Sequence, residues 1–254
     1  MRVNILGTGY MGKQIASLFR LIGFDVLIWN NNGQDISNEI ERETKKLEKL
    51  LSFKSLGTYK FESNLRKFEN NFTLETVKED LKIKKDVIAS LNYKENIFSN
   101  TSSILLSNIA DHVNGFHFMN PVSVKFLEIC KKKNFSKNIL NPIINELKKI
   151  SYEIIEVKDT PGFIINKIIF KDISYFFYLI EVEKFDINTV LQIFKSDIKK
   201  INPIKLVNII GIDTTLYILK NLHEYNKSYY VPEMLRKSVS QNILGNKNKK
   251  LFTI

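Results

Sequence analysis

The sequence is poor in cysteine, and its single thiol excludes an internal disulfide framework. Cys130 follows Ile129 in an apolar run, so we predict a buried, structural thiol rather than a reactive one. A chain of 254 residues can bury a sufficient core without disulfides. Because this use of cysteine is typical of a reducing compartment, we expect a cytoplasmic location.

Long apolar runs are also missing. The most apolar stretch, 162–180, is interrupted by two lysines, an aspartate and an asparagine, whereas a membrane-spanning helix needs about 20 apolar residues in succession. A strand pattern begins at Arg2, so we expect no cleavable leader. These features predict that the protein has no membrane partner.

Charge of one sign dominates, but no nucleic-acid motif accompanies it. The 38 Lys and Arg against 27 Asp and Glu give a formal net charge of +11 at pH 7, which favours anionic ligands. The lysines are spread along the chain rather than gathered in one arm. We therefore expect no nucleic-acid partner and no metal site, while the charge suits a substrate that carries several phosphates.

Strand and helix patterns alternate in the first part of the chain. Strand patterns fall at 2–6, 25–29, 71–74, 86–91, 97–99, 114–119 and 152–157, and helical patterns at 13–22, 36–51, 76–81 and 141–150. The apolar runs are typical of buried parallel strands. This alternation predicts an α/β fold with a Rossmann-type, doubly wound parallel sheet.

From about residue 160 onward only helical patterns remain. They cover roughly 161–181, 186–196, 203–221 and 232–244. Strands with helices followed by helices alone indicate two domains. We therefore predict an α/β domain over residues 1–159 and a smaller all-helical domain over residues 160–254.

A glycine pattern joins the first strand to the first helix. Its three glycines have the spacing G-x-G-x-x-G, and this strand–helix context is typical of dinucleotide binding. The first glycine makes the turn, the second lets the backbone approach a diphosphate, and the third lets the helix pack against the strand. We predict that the cofactor's diphosphate lies at the helix N-terminus, against Gly7, Gly9, Tyr10, Met11 and Gly12.

The second strand is followed by Asn30, where NAD-binding domains usually have an acid that binds the ribose. Asparagine can still bond a hydroxyl, but it lacks the charge that repels a 2′-phosphate. No arginine that could hold such a phosphate is evident nearby. We therefore predict NAD as the cofactor, with Asn30 as a contact, and keep NADP as the alternative.

Three further segments follow in order: 100–103 (NTSS), 115–122 (GFHFMNPV) and 158–166 (KDTPGFIIN). Together with the glycine pattern and the segment 203–213, they resemble the 3-hydroxyacyl-CoA dehydrogenase family over nearly the whole chain. The resemblance implies NAD-dependent oxidation of (S)-3-hydroxyacyl-CoA to 3-oxoacyl-CoA in fatty acid metabolism. It also implies a homodimer that pairs through the C-terminal helical domain.

The resemblance further implies roles for individual residues. His117 corresponds to the catalytic histidine that takes the proton of the substrate's 3-hydroxyl group, and Glu128 corresponds to its carboxylate partner. Ser102 corresponds to the serine that bonds the substrate oxygen, and Asn166 to an asparagine that helps to hold the substrate. Asn100 is assigned to the cofactor.

Two departures from the family pattern bear on the site. His117 and Glu128 are eleven residues apart, one fewer than is usual in the family, so the carboxylate meets the imidazole only if the backbone absorbs the deletion. The helix expected between the strand patterns at 86–91 and 97–99 is almost missing, and Lys94 is the only candidate there for a cofactor contact.

Two alternatives remain open. One is a related dehydrogenase of the same fold that acts on a free hydroxy acid. The other is a relative that binds NAD or acyl-CoA without catalysing a reaction.

Overall fold

The computed structural model describes residues 1–31, 33–132 and 134–253, and the chain divides into two compact units. The first unit is Met1–Thr160 and the second is Pro161–Ile254. Among the described residues, every strand of the sheet lies in the first unit, whereas the second unit is built from helices.

In the first unit, strands and helices alternate along the chain. The strands are β1 (Arg2–Leu6), β2 (Asp25–Trp29), β3 (Tyr59–Glu62), β4 (Phe72–Glu75), β5 (Ile97–Ser99), β6 (Asn114–Phe118), β7 (Phe126–Cys130) and β8 (Glu153–Glu156). The helices are α1 (Tyr10–Leu21), α2 (Ser37–Leu51), α3 (Leu81–Ala89), α4 (Leu106–Ile109) and α5 (Lys137–Lys149).

The strands form one sheet in the order β3-β2-β1-β4-β5-β6-β7-β8. All neighbouring strands are parallel except β6 and β7, which are antiparallel. The chain order reverses between β1 and β4, and in doubly wound sheets ligands bind outside the carboxyl ends of the strands at such a reversal. The predicted Rossmann-type sheet is therefore confirmed, with one antiparallel pair added.

The prediction of a buried strand at 86–91 was wrong, because this segment belongs mostly to α3. The helix begins after Asp80, whose side chain accepts the N–H of Ile83 at 3.1 Å as an N-cap. It buries Lys84, Val87 and Ile88, a spacing that places them on one helical face. Because Lys84 is charged but lies on the buried face, the spacing of apolar residues in this segment does not show the period of a helix.

Helix α3 therefore supplies the crossover between β4 and β5, and the expectation that this helix is almost missing was also wrong. The predicted helix at 76–81 is instead the loop that leads into α3. Lys94 lies just before β5, at the amino edge of the sheet and opposite the edge where ligands bind.

Two strands escaped prediction. β3 lies at the edge of the sheet and is largely half-exposed, so its sequence lacks a clear alternation of apolar and polar residues. β7 is almost entirely buried, and its sequence was recognised only as an apolar run.

The second unit is a helical bundle with a core rich in phenylalanine. Its helices are α6 (Ile165–Glu181), α7 (Ile187–Lys195), α8 (Pro203–Ile210), α9 (Ile212–Tyr225) and α10 (Glu233–Ser240). The single helix expected over 203–221 is broken at Gly211, which has a φ of +98° that favours glycine. Within the described ranges, no helix has the length and apolar character needed to span a bilayer.

Candidate active site

The glycine loop connects the carboxyl end of β1 to the first turn of α1. Gly7 has a φ of +123°, and a Cβ at this position would lie 3.0 Å from the backbone of Thr76. A Cβ on Gly12 would overlap the carbonyl oxygen of Gly7, so the close packing of α1 on this loop requires glycine. At Gly9 a Cβ would meet nothing within 4 Å, which leaves open space beside the helix N-terminus.

The first turn of α1 can hold an anion in that space. Tyr10 and Met11 are its first two residues, directly after the N-cap Gly9. An α-helix leaves its first backbone N–H groups without internal acceptors, and no acidic side chain lies in the first turn of α1. The loop therefore fits the diphosphate of a dinucleotide.

Asn30 directly follows β2 at the same edge of the sheet. Its side chain is buried, and its Nδ2 donates to the carbonyl oxygen of Gln34. Its Oδ1 has no hydrogen-bond partner among the described residues. An unsatisfied buried acceptor costs about 1–3 kcal/mol, and a hydroxyl of the cofactor's ribose would remove that cost. Asn30 therefore fits the predicted contact.

His117 and Glu128 meet across the antiparallel pair β6 and β7. The two residues are direct partners in the strand register, and Nδ1 of His117 lies 2.8 Å from Oε2 of Glu128. The His117 side chain is 5% exposed and the Glu128 side chain is fully buried. The sequence-based pairing of these two residues is thus present in the structure.

The connection between the two strands accommodates the shortened spacing. A 3₁₀ turn at Val122–Val124 is followed by Lys125 in the left-handed conformation, with a φ of +57°. The register of β6 and β7 is continuous on both sides of this connection. The eleven-residue separation therefore still brings the carboxylate to the imidazole.

The contact with Glu128 fixes how the imidazole can react. When the Glu128 carboxylate is ionised it only accepts hydrogen bonds, and Nδ1 of His117 then carries the proton of this contact. The other ring nitrogen, Nε2, then offers a lone pair that can take a proton from another group. A buried carboxylate also stabilises the imidazolium that forms when this happens.

Asn100 and Ser102 lie in the turn that follows β5. Asn100 Oδ1 accepts the backbone N–H of Phe118 at 2.8 Å, which ties the turn to the strand that carries His117. The backbone N–H of Ser102 donates to Oε1 of Glu79 at 2.8 Å. The carboxyl ends of β1, β4, β5 and β6 thus gather the glycine loop, this turn and His117 at one edge of the sheet.

Three charged residues at this edge were missed by the sequence analysis. Lys84 is 1% exposed, and its Nζ lies 2.8 Å from Oε1 of Glu75 and 3.3 Å from Oε2 of Glu79. Glu75 ends β4 and is fully buried, whereas the Glu79 side chain is 18% exposed. We call Glu75, Lys84 and Glu79 the buried charge cluster.

Two members of the buried charge cluster, Glu79 and Lys84, have shifted pKa values that favour their charged forms. Burial opposes ionisation of Glu79, but Lys84 and hydrogen bonds from Thr101 and the backbone outweigh it, so the pKa of Glu79 lies below its ordinary value. Burial likewise opposes the Lys84 ammonium, but the two carboxylates outweigh it and the pKa of Lys84 lies above its ordinary value.

A signal for the cluster was present in the sequence. Glu75 ends an apolar strand pattern beside the reversal of chain order, and Lys84 occupies a position on the apolar face of the next helix. Both placements put a charge where an apolar residue is expected, which is common at functional sites. The misassigned strand at 86–91 concealed this relation.

Asn166 belongs to the second unit, where it is the second residue of α6 and 8% exposed. Its predicted contact with the substrate stays a prediction.

Cys130 is buried at the end of β7, as predicted. Burial and the nearby Asp159 raise the pKa of its thiol to about 11, so the thiol is neutral at physiological pH.

Comparison with known proteins agrees with this geometry. Residues 2–160 match the family 3-hydroxyacyl-CoA dehydrogenase, NAD binding domain, and residues 162–253 match 3-hydroxyacyl-CoA dehydrogenase, C-terminal domain. The 3-hydroxybutyryl-CoA dehydrogenase of Clostridioides difficile is 28% identical, over 98% of this chain and 97% of the relative.

Two further comparisons agree. The mitochondrial hydroxyacyl-coenzyme A dehydrogenase of Mus musculus is 27% identical, over 98% of this chain and 90% of the relative. The crystal structure of (S)-3-hydroxybutyryl-CoA dehydrogenase PaaH1 from Ralstonia eutropha has the same fold, with a TM-score of 0.77 at 23% identity, over 100% of this chain and 99% of the other.

Proposed function

The chain belongs to the 3-hydroxyacyl-CoA dehydrogenase family, and we propose that His117, held by Glu128, moves the proton in its reaction. The protein is an NAD-dependent oxidoreductase that interconverts (S)-3-hydroxyacyl-CoA and 3-oxoacyl-CoA. The observation that carries the proposal is the buried contact of 2.8 Å between the imidazole and the Glu128 carboxylate.

In the oxidative direction, Nε2 of His117 accepts the proton of the substrate's 3-hydroxyl group while the hydrogen on C3 leaves as hydride. NAD, when bound, supplies the hydride acceptor at C4 of its nicotinamide ring. In the reductive direction the imidazolium returns the proton to the 3-oxo group. Glu128 keeps the ring oriented and stabilises its positive charge. Acid–base catalysis of this kind accelerates a reaction by about 10²–10⁴-fold.

The remaining predicted residues would bind and orient. The Gly7–Gly12 loop would hold the diphosphate, Asn30 the adenosine ribose, and Asn100 would contact the cofactor near the carboxyl end of β5. Ser102 would donate to the substrate oxygen beside His117. Asn166 would hold the substrate from the second unit.

The direct test is oxidation of NADH in the presence of acetoacetyl-CoA, followed by the absorbance of the reduced nicotinamide. We expect turnover with NADH by the wild-type protein and loss of turnover by His117→Gln. Binding of NADH is followed separately by energy transfer from Trp29, the only tryptophan of the chain, which directly precedes Asn30. Retained NADH binding by His117→Gln would show that the loss concerns proton transfer.

The same assay separates the two alternatives. Turnover of free 3-oxo or hydroxy acids without turnover of the thioester would indicate a related hydroxy-acid dehydrogenase. Binding of NADH and acyl-CoA with no turnover of either class would indicate a non-catalytic relative. Parallel measurements with NADPH determine how strictly the enzyme selects NAD.

We also propose that the protein is a homodimer that pairs through the helical unit. Several large apolar side chains of that unit are exposed, among them Ile168, Tyr175, Phe185, Ile193 and Ile198. A second copy packed against this unit would remove some of these side chains from water. Light scattering coupled to gel filtration tests this, and a monomer at micromolar concentration would contradict it.

A role in fatty acid metabolism in the cytoplasm completes the proposal. The acyl-CoA substrate supports the metabolic role, and a single unpaired cysteine suits a reducing compartment. The mouse relative is named as mitochondrial, so fractionation of cells that express the protein is the appropriate test.

A further inference from the structure

Glu75 is a buried carboxylate that has no room for a ligand. Its Oε1 accepts the N–H of Val77 at 2.7 Å and Nζ of Lys84 at 2.8 Å. Its Oε2 accepts Nζ of Lys84 at 3.0 Å and the hydroxyl of Ser99 at 2.5 Å. A carboxylate has about four acceptor positions, and the protein fills all of them. Glu75 therefore acts on other residues of the chain and not on substrate or cofactor.

Two routes lead from Glu75 to the turn that carries Ser102. The first runs through Lys84, whose third contact is Oε2 of Glu79 at 3.3 Å. Oε1 of Glu79 then accepts the backbone N–H groups of Ser102 and Ser103 at 2.8 Å and 2.9 Å. The backbone amides of Ser102 and Ser103 are thus bound to the Glu79 carboxylate, which in turn contacts Lys84.

The second route runs through Ser99. While the Ser99 hydroxyl donates to Glu75, its oxygen accepts the backbone N–H of Thr101 at 3.2 Å. The side chain of Thr101 donates to Oε1 of Glu79 at 2.7 Å, which joins the two routes at the turn. Glu75 is the residue from which both routes start.

Stability alone is a poor explanation for this arrangement. Charges buried in a protein interior lose hydration, and replacing a buried ion pair by packed apolar residues is often neutral or stabilising. The cluster lies at the carboxyl edge of the sheet, beside the glycine loop and the turn that follows β5. Its position and its complete hydrogen bonding indicate that it fixes the geometry of that edge.

We propose that Glu75 is a positioning residue, which holds the turn Thr101–Ser103, and thereby Ser102, through Lys84 and Glu79 on one side and through Ser99 on the other. This inference rests on the proposed function only for the use of Ser102 in the reaction. The rigidity of the turn itself can be measured without turnover.

Hydrogen–deuterium exchange of the full-length protein tests the proposal. Glu75→Gln keeps the shape of the side chain but removes its charge and converts one acceptor into a donor. We expect amide exchange at residues 101–103 to become at least about tenfold faster, with little change in β1, β2 and α1. The matched control is Glu156→Gln, which removes the exposed ion pair with Lys131 on the outermost strand β8, four strands away from β4.

Two exchange results would overturn the proposal. Unchanged exchange at 101–103 in Glu75→Gln would show that the turn does not depend on Glu75. Faster exchange spread evenly over the whole first unit would show a general structural role. If Glu75→Gln does not fold, Ser99→Ala removes one route without changing any charge, and we expect a smaller increase confined to the same turn.

A double-mutant cycle with Ser102→Ala tests the functional consequence. Glu75→Gln and Ser102→Ala should each lower kcat/KM for acetoacetyl-CoA. The kcat/KM of the double variant should stay within about twofold of that of the less active single variant, because both substitutions act through the Ser102 hydroxyl. Losses that multiply would overturn the proposal. If the wild-type protein turns over no acyl-CoA but the exchange result is as expected, the proposed function fails while the role of Glu75 stands.

Discussion

The two units of the molecule bury different kinds of side chain. The first unit buries the charged groups Glu75, Lys84 and Glu128, together with His117, at one edge of its sheet. In the described part of the second unit, the buried polar residues are uncharged, namely Asn166, Ser174, Asn208, Thr215 and Ser238. The rest of that core is apolar and rich in phenylalanine.

This difference supports the placement of the proposed proton transfer in the first unit. Each buried charge costs several kcal/mol of hydration unless partners restore it, so a fold built for stability alone avoids such groups. The second unit follows that rule, whereas the first departs from it only where the carboxyl ends of its strands meet. We therefore expect that substitutions in the first unit change rate or affinity and that matched substitutions in the second change stability.

The largest contrast should come from the histidines. His117→Gln should lower kcat by about 10³, because proton transfer to Nε2 is lost. His223, in the second unit, contacts the carbonyl oxygen of Tyr229 through Nδ1 at 2.6 Å, and His223→Gln should leave kcat within about twofold of wild type. Steady-state assays of both variants test this expectation. Equal losses of kcat would contradict the assignment of the proton transfer to the first unit.

The glutamates should give the next largest contrast. Glu128→Gln should lower kcat by about 10², because the neutral amide no longer stabilises the imidazolium. Glu181 accepts the backbone N–H groups of Glu233 and Met234 at 2.8 Å and 3.0 Å. Glu181→Gln should lower the free energy of unfolding by about 1–3 kcal/mol and leave kcat unchanged, as denaturation and assay would show.

Two glycines of the first unit sharpen the comparison, because only one of them is required by packing. Gly9→Ala should weaken NADH binding by at least about tenfold at unchanged stability, since its methyl group occupies the space for the diphosphate. Gly12→Ala should lower the free energy of unfolding by about 1–3 kcal/mol or more, since its methyl group overlaps Gly7. Calorimetric unfolding and energy transfer from Trp29 separate the two effects.

Asn166 is the proposed exception in the second unit, because its substitution is expected to change substrate affinity. If it holds the substrate as proposed, Asn166→Ala should raise KM for acetoacetyl-CoA by about tenfold and leave the Kd of NADH unchanged. Asn188 is exposed on α7, and Asn188→Ala is the matched control. An unchanged KM in Asn166→Ala would show that Asn166 does not hold the substrate.

The smallest expected effect concerns cofactor choice. Asn30→Asp introduces a charge that repels a 2′-phosphate, so kcat/KM with NADPH should fall by about tenfold relative to NADH. Asn30→Ala should instead weaken NADH binding, because the acceptor for the ribose is lost. A ratio of NADH to NADPH that does not respond to Asn30→Asp would show that another residue selects the cofactor.

Much of the fold could be predicted from the sequence because local patterns and tertiary burial agree there. The first strand, the glycines and the first helix form one continuous pattern at 2–22, and the structure follows it closely. Prediction failed where a charged group occupies an apolar position, as Lys84 does on the buried face of α3. It failed also at β3, whose half-exposed edge position leaves no clear period.

The candidate site was only partly accessible from the sequence. His117 and Glu128 were identified through a family pattern, but their contact depends on a strand register that spacing alone does not define. The partners of Glu79 come from a turn more than twenty positions along the chain. Such a network follows from how strands are ordered in the sheet, and no local pattern contains that order.

In the hairpin formed by β6 and β7, the contact between His117 and Glu128 is set by how the two strands pair. The connection between Met119 and Lys125 holds its own place through Val122, which is buried and bonded to Gln14 and Tyr152. A single insertion within either strand would turn its side chains to the opposite face and part the imidazole from its carboxylate. The meeting of His117 and Glu128 is therefore a property of the strand register and not of the number of residues between them.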